Sequence, residues 1–455
     1  MASEPPLGPP AGLPLTRRSI FAQAWPIMLG QATIPLVGIV DAAVIGRTGD
    51  AAALAGVALG ATVISLIFWS FGFLRMGFTG LTAQAEGAGD KAEVEALLLR
   101  GLVLGGAIGL VLLVLGGPIG DLAFALLAGE QAVSLEAGGY VEARFLGAPA
   151  ALAAFAINGW LIGLGQTRAA LVIQIVVNCA NIALDLLFVW GFSMGARGVG
   201  LGTAGAEWIA LVTGLFVCAR IASGNPFALY RRADRSVLFA PHVLKRLFAV
   251  NGDLMIRTIA LLFLFTWFAN AGARLGATAL AANHVLMQFV SIAAFVLDGF
   301  AFTAEARVGQ AIGARSRETF MRAVRLASEF CLASGAVLAL FFFLVGESVV
   351  AFIATDPGVR AEAARFLPFA ALVPLIGMPS WMLDGVFIGA TRGKALRNAA
   401  VISTTLYLVT DLVLRPMGNL GVWIAFCCSY AFRAGALALW WPDLMRTLAA
   451  DEKAA

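Results

Sequence analysis

Long apolar segments separated by short polar ones follow one another along almost the whole chain. A helix needs about 20 mostly apolar residues to cross a bilayer, and twelve segments reach this length. They begin near Ile20, Leu54, Leu97, Val141, Leu171, Val199, Leu247, Leu280, Ala323, Phe366, Ala399 and Leu420. The pattern predicts an all-α integral membrane protein with twelve transmembrane spans, numbered here 1 to 12.

The composition supports this fold class. Of the 455 residues, 60% are hydrophobic and only 13% are charged, which is too little polar surface to cover a soluble protein of this size. The 51 glycines suit helices that pack inside lipid, because small residues let helices approach closely there. The five cysteines lie in apolar stretches without metal-ligand spacing, so we expect neither a metal site nor a disulfide framework.

The two halves of the chain follow the same plan. Residues 83–88 after span 2 resemble residues 309–314 after span 8, an offset of 226, and three further matches have offsets of 221, 224 and 223. Each half therefore holds six spans in the same orientation, which is a transporter architecture with substrate bound between the halves. The predicted organisation is a disordered tail (1–16), an N-lobe (17–220), a cytoplasmic linker (221–245), a C-lobe (246–445) and a cytoplasmic tail (446–455).

Lysine and arginine positions orient the spans, because cytoplasmic loops retain positive charge. With both termini in the cytoplasm, about 20 of the 31 Lys and Arg residues lie on the cytoplasmic side. We therefore predict a multi-pass protein of the cell inner (plasma) membrane with both termini cytoplasmic. Arg17 and Arg18 resemble a twin-arginine signal, but the apolar run continues for a full span without a convincing cleavage site.

Two spans of the N-lobe carry carboxylates within the apolar region. A carboxylate at mid-bilayer costs about 2.5 to 3.5 kcal/mol, so such residues are functional candidates. Asp41 lies in the outer half of span 1, after Pro26 and Pro35, which make that span bendable. On span 5 one helical face carries a polar stripe. Its members, at spacings of four, three and four, are Gln174, Asn178, Asn181 and Asp185.

Depth along the spans brings Asp41 and Asp185 to the outer half of the same lobe, and Thr203 in span 6 lies at a similar level. Two carboxylates that share a desolvated cavity cannot both ionise freely, which favours a proton-binding site. The alternative is that the polar residues of span 5 only join neighbouring helices. Both interpretations place this cluster inside the N-lobe.

The C-lobe has a different polar set. The repeat offset takes Asp41 to Trp267 or its neighbour, so this lobe lacks the carboxylate of span 1 and is expected to support shape or substrate affinity more than coupling. In the N-lobe, Arg75 of span 2 and Glu86 at the end of that span are also possible partners in an ion pair. The C-lobe candidates are Asp253 and Arg257 on span 7, four residues apart and possible partners in a neutralised ion pair, Asp298 on span 8 and Asp384 on span 10.

Several segments resemble the DinF branch of the MATE (multidrug and toxic compound extrusion) family. They are residues 40–46, 68–85, 251–257, 297–301 and 383–392. The resemblance covers roughly residues 17 to 445 and implies two six-helix bundles that form a V around a central cavity. Matching positions imply a cation-coupling site of Asp41, Asn181, Asp185, Thr203, Tyr140 and Asn158, with Pro26 as the bending point of span 1.

The resemblance also implies a secondary active antiporter that exports small amphipathic, often cationic drugs or toxic compounds in exchange for H⁺ or Na⁺ by alternating access. Beyond the coupling ion we expect no cofactor, and we expect a monomer with membrane lipid and small compounds as partners and no nucleic acid. A lipid or lipid-linked precursor flippase is the alternative, although such carriers favour a strongly cationic cavity. An intramembrane enzyme would need a nucleophile with a base or a metal constellation, and the spans carry neither. A passive channel would not need two half-repeats with a bendable helix.

Overall fold

The computed structural model describes residues 15–127, 131–222 and 240–453, and every regular element in these ranges is helical. Most of the predicted tail (1–16) and of the predicted linker (221–245) lies outside the described residues. The segment predicted as a C-terminal tail (446–455) is helical as far as Lys453, so the last helix extends further than the hydrophobic pattern suggested.

Within the described residues, the N-terminal half contains eight helices. They are α1 (Arg17–Gly46), α2 (Ala51–Ser70), α3 (Phe73–Gly87), α4 (Lys91–Leu127), α5 (Gln131–Phe145), α6 (Ala148–Gly163), α7 (Thr167–Asp185) and α8 (Gly195–Ala222). Helices α2 and α3 together make span 2, and α5 and α6 make span 4 with a bend of 53° between them. A π-helical turn, Leu186–Gly191, continues α7 toward α8.

The C-terminal half contains seven helices within the described ranges. They are α9 (Pro241–Arg274), α10 (Ala277–Gly313), α11 (Arg317–Ile353), α12 (Pro357–Gly389), α13 (Gly393–Leu414), α14 (Asn419–Leu439) and α15 (Trp441–Lys453). Across the described chain, 11 helices are long and apolar enough to cross a bilayer, and the bent pair α5–α6 brings the number to 12. The predicted all-α membrane fold is confirmed.

Short polar loops set where several of these helices begin. The Asp50 carboxylate accepts the backbone N–H of Ala53 at 3.0 Å at the start of α2, and the Asp356 carboxylate accepts that of Val359 at 2.8 Å at the start of α12. These caps satisfy N–H groups that the first helical turn leaves without partners. The outer surface is apolar, as a lipid-facing surface must be, and Phe352 of α11 is 89% exposed.

The two lobes meet at the end predicted to face the cytoplasm, and repeat-related residues of the two halves make equivalent contacts there. The Gln84 side chain donates to the carbonyl of Gly389 at 3.1 Å, while its repeat partner Gln310 donates to the carbonyl of Gly163 at 3.0 Å. A Cβ on Gly313 would overlap the carbonyl of Gln84. The repeat in the sequence therefore corresponds to a pseudo-twofold relation between the lobes.

Two ion pairs reinforce this junction. Arg17 at the start of α1 contacts Glu329 of α11 at 2.9 Å, and Arg75 of α3 contacts Glu305 of α10 at 3.0 Å. Within the three described ranges, no hydrogen bond or ion pair joins the lobes at the opposite end of the helices. The described polar contacts between the lobes are therefore concentrated at the end predicted to be cytoplasmic.

Candidate cation-coupling site

Three helices of the N-lobe bring four polar side chains to one buried cluster. The carboxyls of Asp41 on α1 and Asp185 on α7 lie close enough to share a proton, and Asn181 lies beside both. The Asn181 amide donates to the Thr203 hydroxyl of α8 at 3.1 Å. Asp185 is fully buried and Asp41 is 7% exposed. The structure thus joins four of the residues that the sequence singled out; Asp41 and Asp185 are called here the carboxylate pair.

Local backbone features allow the carboxylate pair to form. Asn181 and Asp185 are four residues apart, so both project from one face of α7. Gly202 of α8 leaves room for the Asp185 side chain, because a Cβ there would lie 3.0 Å from Asp185 Cγ and would overlap Oδ1. The Trp190 indole in the π-helical turn donates to the Val44 carbonyl of α1 at 3.1 Å. This bond ties the end of α7 to the turn of α1 that follows Asp41.

The carboxylate pair has few hydrogen-bond donors. Neither carboxyl oxygen of Asp185, nor Oδ1 of Asp41, accepts a hydrogen bond from any residue that the structure describes. Burying a charged carboxylate without donors is costly unless it is neutralised, and two adjacent carboxylates disfavour each other's ionisation. The arrangement therefore suits the uptake and release of one small cation.

Behind the carboxylate pair lies an ion pair that the sequence reasoning missed. Arg144 of α5 contacts Glu207 of α8 at 2.9 Å, and both side chains are largely buried. The Tyr140 side chain is buried and interacts with both Arg144 and Asp41. Tyr140 with Arg144, and Thr203 with Glu207, are each four residues apart and share a helical face. That spacing was the signal that could have found the pair.

Asn158 and Pro26 lie away from this cluster. Asn158 makes no hydrogen bond within the described chain, and its neighbour Gly159 packs against the backbone of Arg75, where a Cβ would lie 3.1 Å from the Arg75 carbonyl carbon. This is the level of the lobe junction rather than of the carboxylate pair. Pro26 is buried within α1, which runs as one helix from Arg17 to Gly46.

The C-lobe candidates form ion pairs with residues of other helices. Arg257 contacts Asp384 of α12 at 2.6 Å, and Asp253 contacts Arg397 of α13 at 2.7 Å, so the suggested pairing of Asp253 with Arg257 within α9 is wrong. Helix α9 packs against α13, and two other helices, α12 and α13, present the charge opposite to Arg257 and to Asp253 respectively. Arg433 of α14 also approaches Asp384, at 3.6 Å.

The suggested pairing of Arg75 with Glu86 is also wrong. Arg75 reaches across the lobe junction to Glu305, and its guanidinium lies 3.8 Å from the centre of the Phe302 ring. Asp298 is half-buried and interacts electrostatically with Arg75 and Arg257. Three arginines and three carboxylates make this network, so their formal charges balance. The members are Arg75, Arg257, Arg433, Asp298, Glu305 and Asp384.

Residues 26–187 and 254–413 match the family model described as MatE. The chain belongs to the MatE family. Its sequence is also 36% identical over 429 residues to DNA damage-inducible protein F of Escherichia coli (strain K12), and the match covers 93% of this chain and 92% of that protein. The family assignment and the DinF relationship that the sequence segments suggested are both confirmed, and the chain is a multi-pass MATE transporter.

Solved structures share the fold of this MatE chain. An outward-facing multidrug resistance MATE family transporter of the MOP superfamily matches with a TM-score of 0.83 at 18% identity, over 96% of this chain and 97% of that one. A MOP superfamily transporter from Pyrococcus furiosus matches with a TM-score of 0.83 at 18% identity, over 96% of each chain. These likenesses confirm the V-shaped arrangement of two six-span bundles.

The C-lobe of this MatE chain holds a neutralised counterpart of the carboxylate pair. The repeat offset of 226 takes Asp185 to Asp411 on α13. The Trp267 indole donates to Asp411 Oδ2 at 3.0 Å, and Arg274 contacts the same oxygen at 3.3 Å. Tryptophan thus stands where the N-lobe has Asp41, and an arginine balances the remaining carboxylate. The sequence reasoning missed Asp411, although the repeat offset applied to Asp185 leads to it.

Proposed function

We propose that this MatE transporter exports small amphipathic, often cationic compounds in exchange for H⁺ by alternating access. The carboxylate pair carries the proposal, because two adjacent buried carboxyls with three donor-free oxygens favour uptake of a cation. A proton shared by Asp41 and Asp185 removes one buried charge without any added donor. The proposal places the protein in the inner membrane with both termini cytoplasmic and assigns it no enzymatic step.

The asymmetry of the lobes supports coupling in the N-lobe. Asp411 is already balanced by Arg274 and receives a hydrogen bond from Trp267, so its charge state need not change during transport. The carboxylate pair has two negative charges and few donors. A change of one proton therefore alters the N-lobe site far more than the corresponding part of the C-lobe.

Helix α1 links the carboxylate pair to the lobe junction. Its last turns carry Asp41, whereas its first turns pack against the C-lobe, with Ile20 and Ala24 in one apolar cluster with Phe300 of α10. Pro26 lies between these two regions and removes one helical hydrogen bond. In the proposed cycle, protonation from the periplasmic side changes how Asp41 packs. Helix α1 transmits this change to the lobe junction at the cytoplasmic end, which must separate for the inward-open state to form.

The charge-balanced network at the lobe junction supports export of organic cations over transport of lipid-linked phosphates. A carrier of phosphates would gain from an excess of arginines in the cavity, and here three carboxylates offset three arginines. Asp298, half-buried and without a hydrogen bond among the described residues, adds a carboxylate that could approach a cationic drug.

The test is ethidium efflux from proteoliposomes with an imposed pH gradient in sodium-free buffer. We expect the wild-type protein to transport ethidium, Asp41→Asn to lose most transport, and Asp411→Asn to keep most of it. Asp411→Asn is the matched control because it makes the same substitution at the repeat-related site. Transport that required a sodium gradient would replace H⁺ by Na⁺ as the coupling ion. Equal transport by the wild type and Asp41→Asn would overturn the assignment of coupling to this pair.

A further inference from the structure

The buried ion pair of Arg144 and Glu207 has no part in the cycle proposed above, and one nitrogen and one oxygen of the pair lack a hydrogen bond within the described chain. The 2.9 Å contact joins Arg144 Nη2 to Glu207 Oε1. Arg144 Nη1 and Glu207 Oε2 are both buried and make no hydrogen bond with any described residue. A buried guanidinium usually engages several of its five donors, so a free donor here calls for an explanation.

Acceptors without donors lie in the same region. Both carboxyl oxygens of Asp185 and Oδ1 of Asp41 accept no hydrogen bond within the described chain, and the positive charge of Arg144 acts on both carboxyls. Tyr140, one helical turn before Arg144 on the same face of α5, interacts with both Arg144 and Asp41. A positively charged donor without a hydrogen bond and negatively charged acceptors without donors therefore occur in one buried region of the N-lobe.

Among the residues that the structure describes, Arg144 is the one cation that acts on the carboxylate pair. Helices α2 and α6, which pack against the site, contain no ionisable side chain. On α1, α5, α7 and α8, the ionisable groups that act on the carboxylate pair are Tyr140 and Arg144, and Glu207 acts on these two in turn. The remaining charged residues of these four helices, none of which acts on the pair, are Arg17, Arg18, Glu136, Glu142, Arg168, Arg197 and Arg220.

A purely structural role explains only part of this geometry. The ion pair lies at the bend between α5 and α6, and a Cβ on Gly147, which precedes α6, would overlap Glu207 Oε2. A fixed link between α8 and this bend accounts for the 2.9 Å contact. It does not account for a free Arg144 donor beside donor-poor carboxylates, which a fixed link would leave permanently unsatisfied.

We propose that Arg144 is the internal counter-ion of the carboxylate pair. It bonds Glu207 while the pair holds a proton, and it turns its free donor toward the pair once the proton has left. The exchange brings the positive charge of Arg144 next to the carboxylate pair when both of its carboxyls are ionised. The deprotonated pair is therefore stabilised without a second external cation. This inference rests on the proposed proton-coupled function.

The two partners predict shifts of opposite sign in an infrared titration of the protonated carboxyl band, which is assigned to the pair by its loss in Asp41→Asn and Asp185→Asn. Removing the positive charge in Arg144→Gln should move the band's pH midpoint upward by about one to two units. Removing the competing negative charge in Glu207→Gln should move it downward by a similar amount.

Further variants separate electrostatics from misfolding. Arg144→Lys keeps the charge and should titrate near the wild type, and the double variant Arg144→Gln/Glu207→Gln removes both charges and should also lie near it. The control Arg274→Gln removes the arginine from the C-lobe ion pair and should leave the midpoint unchanged. Size-exclusion chromatography identifies a misfolded single variant, and the sign of the shift in the other single variant, set against Arg144→Lys and the double variant, then decides the comparison.

The titration distinguishes a failure of the counter-ion role from a failure of proton coupling. Opposite shifts for the two single variants, with a double variant near the wild type, support the counter-ion role. A wild-type band that titrates while both single variants stay unmoved or shift in the same direction overturns this role and leaves proton coupling intact. A wild-type protein whose pair shows no titrating band overturns proton coupling itself, and the counter-ion role with it.

Discussion

Gly202 of α8 offers a direct test of how closely Asp185 must approach Asp41. In Gly202→Ala the added Cβ would overlap Asp185 Oδ1 and would lie 3.0 Å from both the backbone nitrogen and Cγ of Asp185. A rotation of the carboxyl cannot relieve contact with the backbone nitrogen, so α7 and α8 must separate. Overpacking of this kind costs about 1–3 kcal/mol.

The neighbouring Gly205 provides the matched control. In Gly205→Ala the Cβ would lie 2.9 Å from Leu184 Cδ1, the end of a flexible side chain that can move aside. Both substitutions gain about 1 kcal/mol of helix propensity relative to glycine, so propensity cancels in the comparison. The difference between the two variants therefore reports contact with Asp185.

Thermal unfolding in detergent and pH-driven ethidium efflux measure the two consequences. Gly202→Ala should unfold at a lower temperature than Gly205→Ala, and its efflux at equal protein level should fall at least several-fold, because displaced carboxyls no longer share a proton. Gly205→Ala should resemble the wild type in both assays. If Gly202→Ala transports and unfolds like Gly205→Ala, close contact between Asp185 and α8 is not required for coupling.

Three further substitutions test separate parts of the fold. Asp41→Asn should fold with wild-type yield yet confer less than about a tenth of wild-type ethidium resistance in an efflux-deficient strain, since antiport needs both protonation states; full resistance would contradict this. Asp253→Asn should lower thermal stability by leaving Arg397 without its carboxylate, but should keep drug-induced proton release; loss of that release with intact drug affinity would move coupling to the C-lobe. Gly313→Val should prevent the junction at Gln84 from closing, so a cysteine introduced between the lobes should react faster from the cytoplasmic side; unchanged reactivity would show that the junction tolerates the side chain.

The sequence by itself determined the fold class and the repeat, because both depend on local quantities. The length of an apolar run decides whether a helix can cross a bilayer, and spacing along the chain decides which residues share a helical face. The same reasoning placed Asp41 and Asp185 at similar depth in one lobe. It needed no knowledge of which helices touch.

Pairing between helices was decided only by the tertiary structure. Arg75 finds Glu305 across the lobe junction rather than Glu86 on its own span, and Asp253 and Arg257 select partners on two different helices. An opposite charge four residues away on the same helix is only one candidate among those that packing brings near. Inside the membrane a charged side chain usually pairs with another polar group, and the helices that pack nearby determine which residue forms that pair.

The same reason explains why Glu207 and Asp411 escaped the sequence reasoning. Each is a single carboxylate in an apolar span, and its significance depends on the arginine that faces it, Arg144 for Glu207 and Arg274 for Asp411. Sequence symmetry pointed to Asp411, but only packing shows that it is neutralised while Asp185 is not. The sequence determined where carboxylates lie in the membrane, and the tertiary structure determined which of them keep a permanent counter-ion, because that depends on arginines brought in by other helices.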